Sequence, residues 1–247
     1  MAVTLVNSAE GITPSGTVLT QGSGGNTGGV SGNFFDVVNI GTGATNASDS
    51  AHSAHGSLSV QIATGATTAT AYDTWSTSLT ATTLTAVWAR FYFYCTAVPA
   101  ANSRVIAWAN SAAAIAASIR YNTAGTLTYQ NSANAAITGM TSVTTLPLNA
   151  WCRIEALCNS STGVAELKIF NIPDSVVATE TLTSTSGQSL NTDCGILRFG
   201  QSGGAQANYG PYWFDDFGAS DTAYLGPAFY RQTPRPLPQP IRRASLW

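Results

Sequence analysis

Asn208-Tyr-Gly-Pro-Tyr-Trp-Phe-Asp-Asp-Phe-Gly-Ala-Ser-Asp221 is the stretch whose reading decides the fold. Residues 212–217 alternate with the period of a β-strand: Tyr212, Phe214 and Asp216 on one face, Trp213, Asp215 and Phe217 on the other. Aromatic side chains on both faces suit a strand buried between layers, yet each face also carries a carboxylate. A buried carboxylate is costly unless it is hydrogen-bonded, paired or bound to a metal. The stretch therefore reads as the closing strand of a sandwich that either turns into solvent at its end or carries an ion. Residues 221–227 leave the sheet, and residues 228–247 have a different composition altogether.

Working outward from that strand, the chain of 247 residues has only 9% charged residues, a single lysine (Lys168) and a net charge of −2. So few charges favour strands and tight turns over solvated helices, and give no general affinity for polyanions, so no specific nucleic-acid partner is expected. A polar, Thr-rich, weakly charged surface fits an extracellular or particle-bound protein. Residues 1–6 lack the basic start and apolar core of a signal peptide, and no run approaches the roughly 18 apolar residues of a membrane span, so no membrane partner is expected. Cys152 and Cys158 sit on one apparent strand, roughly 20 Å apart at about 3.3 Å per residue, beyond disulfide reach. Pairs with Cys95 or Cys194 stay open, but buried free thiols fit better.

Short strands separated by Gly, Ser, Asn and Pro turns are predicted at residues 3–6, 17–20, 34–40, 57–62, 84–95, 104–110, 127–130, 151–158, 164–170, 176–182 and 195–199. Residues 111–120 have helical propensity, but their second half is assigned to a strand that a hairpin at Gly125 connects to the next. The glycine-rich run 22–29 is a loop without the context of a phosphate-binding turn. These spacings predict an all-β fold: an antiparallel two-sheet jelly-roll sandwich over residues 1–227, followed by an extended Pro/Arg-rich arm at 228–247.

The succession of Ala-His-Gly-Ser-Leu-Ser-Val (54–60), Arg-Phe-Tyr-Phe-Tyr (90–94), Trp-Cys-Arg-Ile-Glu (151–155), Ala-Glu-Leu-Lys-Ile-Phe (165–170), Leu-Arg-Phe-Gly (197–200) and Tyr-Trp-Phe-Asp-Asp-Phe (212–217) resembles concanavalin A-like (LamG-like) jelly-roll domains. More narrowly, it is similar to the versions among virion structural proteins of tailed bacteriophages that infect actinobacteria. The resemblance spans residues 5–227. It implies a curved two-sheet sandwich, with glycan binding or polysaccharide cleavage in many relatives.

Glycosidases of this fold carry Glu-x-Asp-x-x-Glu on one strand. None of Glu10, Glu155, Glu166 and Glu180 stands in that pattern. Lyases of the fold need a Tyr or His base beside an Arg. Tyr92, Tyr94 and Arg90 could be cast so, but no histidine falls on a predicted central strand, and His52 and His55 read as turn residues. Gly-Gln-Ser-Gly-Gly (200–204) lacks the strand–turn–helix context of a nucleophile elbow. No catalytic residue is therefore assigned and a non-enzymatic chain is expected. Trp88, Tyr92, Tyr94 and Trp108 are the candidates for stacking on sugar rings. Glu10, Asp215 and Asp216 are the candidates for a structural calcium ion tying the first and last strands.

The arm carries Arg231, Arg235, Arg242, Arg243 and Trp247 and no acid, so four of the chain's ten basic residues lie in its last twenty positions. Its alternating prolines favour an extended chain that cannot form its own core, with Arg and Trp as anchors for a partner. The functional expectation is a capsid decoration, minor capsid or minor tail protein. It would be assembled in the host cytoplasm and displayed on the virion surface, with the major capsid protein, other virion subunits or neighbouring copies as partners. The alternative is a carbohydrate-binding module, and after that a polysaccharide lyase or hydrolase.

Overall fold

A computed structural model describes residues 4–10, 15–20, 35–79 and 83–228. The arm residues Arg231, Arg235, Arg242, Arg243 and Trp247 lie outside them. Fifteen strands follow in chain order: β1 (Thr4–Asn7), β2 (Val37–Ile40), β3 (Ala44–Asp49), β4 (Ser59–Thr64), β5 (Ala69–Trp75), β6 (Ala86–Cys95), β7 (Ser103–Ala109), β8 (Ile115–Tyr121), β9 (Leu127–Gln130), β10 (Ala136–Thr141), β11 (Trp151–Asn159), β12 (Val164–Phe170), β13 (Glu180–Thr183), β14 (Ile196–Gln206) and β15 (Tyr212–Ser220). One 3-10 turn, Thr77–Leu79, is the only helical element among the described residues.

The strands form two antiparallel sheets. The first runs β13-β12-β11-β6-β15-β4-β3, with β1 also on β15, and the second runs β10-β9-β8-β7-β14-β5-β2. This is the expected two-sheet sandwich. The closing strand is central to the first sheet: Tyr212–Phe214 pair with β4, residues 217–220 pair with β1, and the opposite edge pairs with β6. Alternating apolar residues turn inward from both sheets. Phe91, Phe93 and Phe214 from the first sheet meet Phe199 and Tyr121 from the second, and Phe35 lies edge-on to Phe217 at 5.1 Å. Such tilted and edge-to-face pairs each add about 0.5–1.5 kcal/mol beyond area burial.

The alternation of 212–217 breaks in its middle. Asp215 pairs with Tyr92, but the next paired residue is Gly218, opposite Arg90, so Asp216 and Phe217 together face the single residue Phe91. Asp216 has φ of +44°, inside the left-handed region. This is a β-bulge, which shifts the alternation by one residue. Phe217 thus joins Phe214 in the core, stacked at 6.2 Å, and both carboxylates are released to the other side. The expectation that Asp215 and Asp216 lie on opposite faces is corrected accordingly.

Other departures are local. Strands β3, β5 and β10 were not expected, because their Thr- and Ala-rich sequences lack bulky alternation. Residues 17–20 contribute only an isolated bridge, Val18 to Ala47. Residues 111–114 form a hairpin turn, with Ala113 at φ +64° and the Asn110 carboxamide accepting from the Ala112 and Ala114 amides, so their helical propensity is overridden. The 200–204 motif lies inside β14 with Ser202 fully buried, not at an elbow. Cys95, Cys152, Cys158 and Cys194 are buried free thiols.

Between the sheets, Asp73 on β5 is fully buried and accepts one hydrogen bond, from Asn46 Nδ2 at 2.7 Å. Burial pushes its acid up to about 8, the Asn46 bond opposing this in part. An unfolded aspartate titrates near about 3.9, so between about pH 4 and about pH 8 the folded chain holds a proton that the unfolded chain has lost. Stability must fall as pH rises through that window. Asp73→Asn should therefore flatten the pH dependence of the melting temperature and raise it at about pH 8; an unchanged slope in thermal unfolding would refute this assignment.

Candidate functional site

The register of the first sheet arranges its outer face in rows. Trp151, Tyr94 and Trp213 form one row, and Phe170, Arg153, Tyr92 and Asp215 the next. Lys168, Glu155, Arg90 and Gly218 follow, and then Leu157, Trp88 and Ser220. Period-2 alternation in β6 and β11 places these residues together. Aromatics therefore flank a charged middle.

Three segments lie over that middle: residues 50–58, residues 171–179 and residues 221–228. The first is held by carboxylates at both ends and its centre. Asp49 Oδ1 accepts from the Ala51 and His52 amides at 2.9 and 2.8 Å. Asp215 Oδ2 accepts from the Ala54 amide at 2.8 Å and the His55 amide at 3.3 Å. Glu10 accepts from the Ser57 and Leu58 amides at 2.8 and 2.9 Å and from Ser57 Oγ at 2.8 Å. Gly56 is required here: it has φ of +69°, and a Cβ would lie 2.3 Å from the Glu10 carboxyl group.

This loop presents His55. Its Nδ1 meets Asp216 Oδ2 in a short contact, its Nε2 lies 3.1 Å from Asp174 Oδ2, and its ring stands edge-on to Tyr92 with centroids 5.0 Å apart. The hydrogen bond to Asp216 is the main cause that raises His55 to about 9, against the opposing effect of burial, so the imidazole is a cation at neutral pH. Because that value lies above the ordinary one near about 6.5, the resulting stabilisation is complete below about pH 6.5 and lost as pH rises through about 9. Tyr92 donates to Asp174 Oδ1 at 2.8 Å and accepts from the Ala228 amide at 2.9 Å; burial pushes its phenol up to about 12. Asp174 thus bridges the imidazolium and the phenol. Burial and the Asp216 charge drive Asp215 well above the ordinary carboxylate range, opposed by its backbone donors.

The adjoining cations are committed to the scaffold. Arg90 donates to the carbonyls of Asp216 at 3.1 Å and Gly226 at 3.0 Å. Arg153 pairs with Glu155 at 2.8 Å, donates to the Ser175 carbonyl at 2.8 Å and stacks over Phe170 at 3.8 Å. Lys168 sits 3.6 Å over the Tyr224 ring, whose hydroxyl donates to Glu166 at 2.8 Å. Beside them opens a cleft of about 390 Å³ lined by Glu155, Lys168, Phe170, Val176, Tyr224 and Gly226, among others.

Of the sugar-stacking candidates, Tyr94 and Trp88 are half-buried on this face, Tyr94 against Trp151 at 5.5 Å and Trp88 against Tyr224 at 6.4 Å. Tyr92 is there too, but buried beneath Asp174 and residue 228. Trp108 is a correction. It points into the core from β7, is 0% exposed, stacks on Tyr129 at 5.6 Å and donates to the Val87 carbonyl, so no sugar can reach it. Glu10, Asp215 and Asp216 do gather around one segment, residues 54–58, where backbone amides and His55 fill their acceptor positions. Among the described residues no group of three or more His, Cys, Asp and Glu could hold a metal ion. His55, Asp174, Arg153, Lys168 and Tyr224 were not foreseen as site residues. The usable signal was that both histidines of the chain fall within the six residues 51–56.

No protein-family model matches the chain, and no curated protein matches it in sequence. Solved structures do share its fold. The endo-β-1,4-glucuronan lyase of the fungus Trichoderma reesei is similar with a TM-score of 0.52 and 14% identity, over 79% of this chain and 92% of that one. The cellulose-induced protein Cip1 is similar with a TM-score of 0.51 and 17% identity, over 77% and 91%. A Trypanosoma rangeli sialidase is similar with a TM-score of 0.52 and 8% identity, over 88% of this chain but only 30% of the sialidase. At such identities the likeness establishes the sandwich fold. It also corrects the expectation of a non-enzymatic chain: the fold is one that enzymes use, and the loop 50–58 supplies the histidine whose absence from the central strands had counted against catalysis.

Proposed function

We propose that the chain binds a polysaccharide along the outer face of the first sheet and acts on a glycosidic linkage there by acid–base chemistry. One observation carries this reading: an imidazolium and a phenol, His55 and Tyr92, share the single carboxylate Asp174 at the centre of an aromatic-flanked sheet face. Tyr94 and Trp151 on one side, and Trp88 and Tyr224 on the other, offer ring faces for sugars. Residues 88 and 94 of one strand are roughly 20 Å apart at about 3.3 Å per residue, room for several sugar rings. Asp174 is half-exposed, so a sugar can reach it without its leaving His55 and Tyr92. His55 would then give its proton to the leaving oxygen, while Asp174, held in place by the Tyr92 hydroxyl, accepts one from the sugar. Hydrolysis by a carboxylate pair fits less well, because Glu155 is buried in its ion pair with Arg153. The names of the similar lyase and sialidase agree with a glycan as the substrate class. The test is incubation with neutral and uronic acid-containing polysaccharides, reading unsaturated and reducing ends. His55→Gln and Asp174→Asn should each lower turnover about 10²–10⁴-fold while leaving binding in place. Retained binding with no product from any polysaccharide would refute the catalytic half of the proposal.

A second reading concerns where such a face is displayed. The opposite charges of body and arm, −6 over residues 1–227 and +4 over residues 228–247, favour a role as a virion structural protein tethered through Arg231, Arg235, Arg242, Arg243 and Trp247. Capsid subunits or neighbouring copies would receive the arm. Deleting residues 228–247 should then leave a folded sandwich that no longer joins particles, and wild-type occupancy of the deleted protein would contradict the tether.

A further inference from the structure

The second sheet's outer face carries a cluster that the polysaccharide reading does not use. Arg104 on β7 and Arg120 on β8 are direct cross-strand partners. Like charges in that position repel unless something lies between them. Arg198 on β14 pairs with Ala107, and Ala107 with Ser118, and because Ser118 and Arg120 share a face of β8 this row of small side chains lies beside the Arg104–Arg120 row. Three strands thus bring three guanidinium groups together over a small-residue floor.

Among the described residues no acid pairs with them. Each described ion pair involves His52, His55 or Arg153, none of them on this face. Arg104 is only 2% exposed; it donates from Nη1 to the Ser202 carbonyl and from Nη2 to Asn134 Oδ1 at 2.7 Å. Arg198 donates to the Ala113 carbonyl at 3.3 Å and lies over Tyr72 at 5.6 Å. Yet the Nε of Arg104, of Arg120 and of Arg198, and the Oγ of Ser202, are all buried without a hydrogen-bond partner. An unsatisfied buried donor costs about 1–3 kcal/mol, more when charged, so four in one place need an explanation. Burial, with the charges of Arg120 and Arg198, lowers Arg104 to about 10. The wall of the cluster is shaped to the guanidinium as well: Gly203 has φ of +68°, and a Cβ there would lie 2.5 Å from Arg104 Nη1.

We infer that this face is an oxyanion site, in which Arg104, Arg120, Arg198 and Ser202 bind a phosphate or sulfate group, free or as an ester on a polymer. Planar guanidinium forks match tetrahedral oxyanions in geometry, and an anion would both pair the idle donors and cancel the mutual repulsion. The site stands on the opposite sheet from His55, so its success or failure is independent of the polysaccharide proposal.

The test uses the full chain at constant ionic strength, exchanging sodium chloride for sodium phosphate or sodium sulfate, with thermal unfolding and calorimetry as readouts. Phosphate or sulfate should raise the melting temperature, and Arg120→Gln should weaken binding at least tenfold and remove that rise. Because the Arg120 side chain has no hydrogen-bond partner among the described residues, the variant should fold, and without phosphate or sulfate it should melt no lower than wild type. Arg198→Gln serves as a second variant that should likewise weaken binding at least tenfold and remove the rise, whatever its own melting temperature without phosphate or sulfate. Dextran sulfate compared with free sulfate and plain dextran separates the sources. Tighter binding per sulfate by the polymer marks an ester-bearing chain, and equal binding marks the free anion. No rise beyond that of chloride, or an equal rise in both variants, would overturn the site.

Discussion

Two adjacent carboxylates in the middle of a central strand are the constraint on which the first sheet is built. A regular strand would bury one of them in the aromatic core, at a cost of several kcal/mol for an unpaired charge. The bulge at Asp216 removes that conflict. It returns Phe217 to the core beside Phe214 and turns both acids outward, where backbone amides and His55 meet them. The same local irregularity that lets the sandwich close therefore creates the anchor for residues 50–58 and the counterion of the imidazolium. Packing and chemistry share one cause here.

Much of the fold was legible because bulky alternation reports burial directly. Residues 84–95, 151–158 and 164–170 each carry aliphatic or aromatic side chains at every second position, and each is a strand of the first sheet. Strands β3 and β10 escaped notice because Ala, Thr, Asn and Gly make up most of their sequences, and such residues leave no periodic signal. The site was only half legible. Alternation placed Trp88, Tyr92 and Tyr94 on one face, but no local rule announced that Asp174, about 80 positions away in sequence, would meet Tyr92. Trp108 was misjudged because an aromatic residue on an alternating strand has equal claim to either face until the sheet's partner is known.

Charge shows the same limit from another side. A net charge of −2 argues against general polyanion binding, and over the whole surface that argument holds. It is silent about distribution. The six basic residues before the arm divide evenly between the sheets: Arg90, Arg153 and Lys168 lie among acids on the first, while Arg104, Arg120 and Arg198 converge on the second with no described ion pair. Strand register, which no composition reports, brings the second group together.

The bulged carboxylates hold His55 as a cation against Tyr92. The most direct measurement is an NMR titration of the His55 imidazole in the wild-type chain and in Asp216→Asn. A midpoint of about 9 is expected in the wild type and a marked fall in the variant, because the Asp216 hydrogen bond is the largest cause of the rise. A wild-type midpoint near the ordinary value of about 6.5, unmoved by Asp216→Asn, would contradict it.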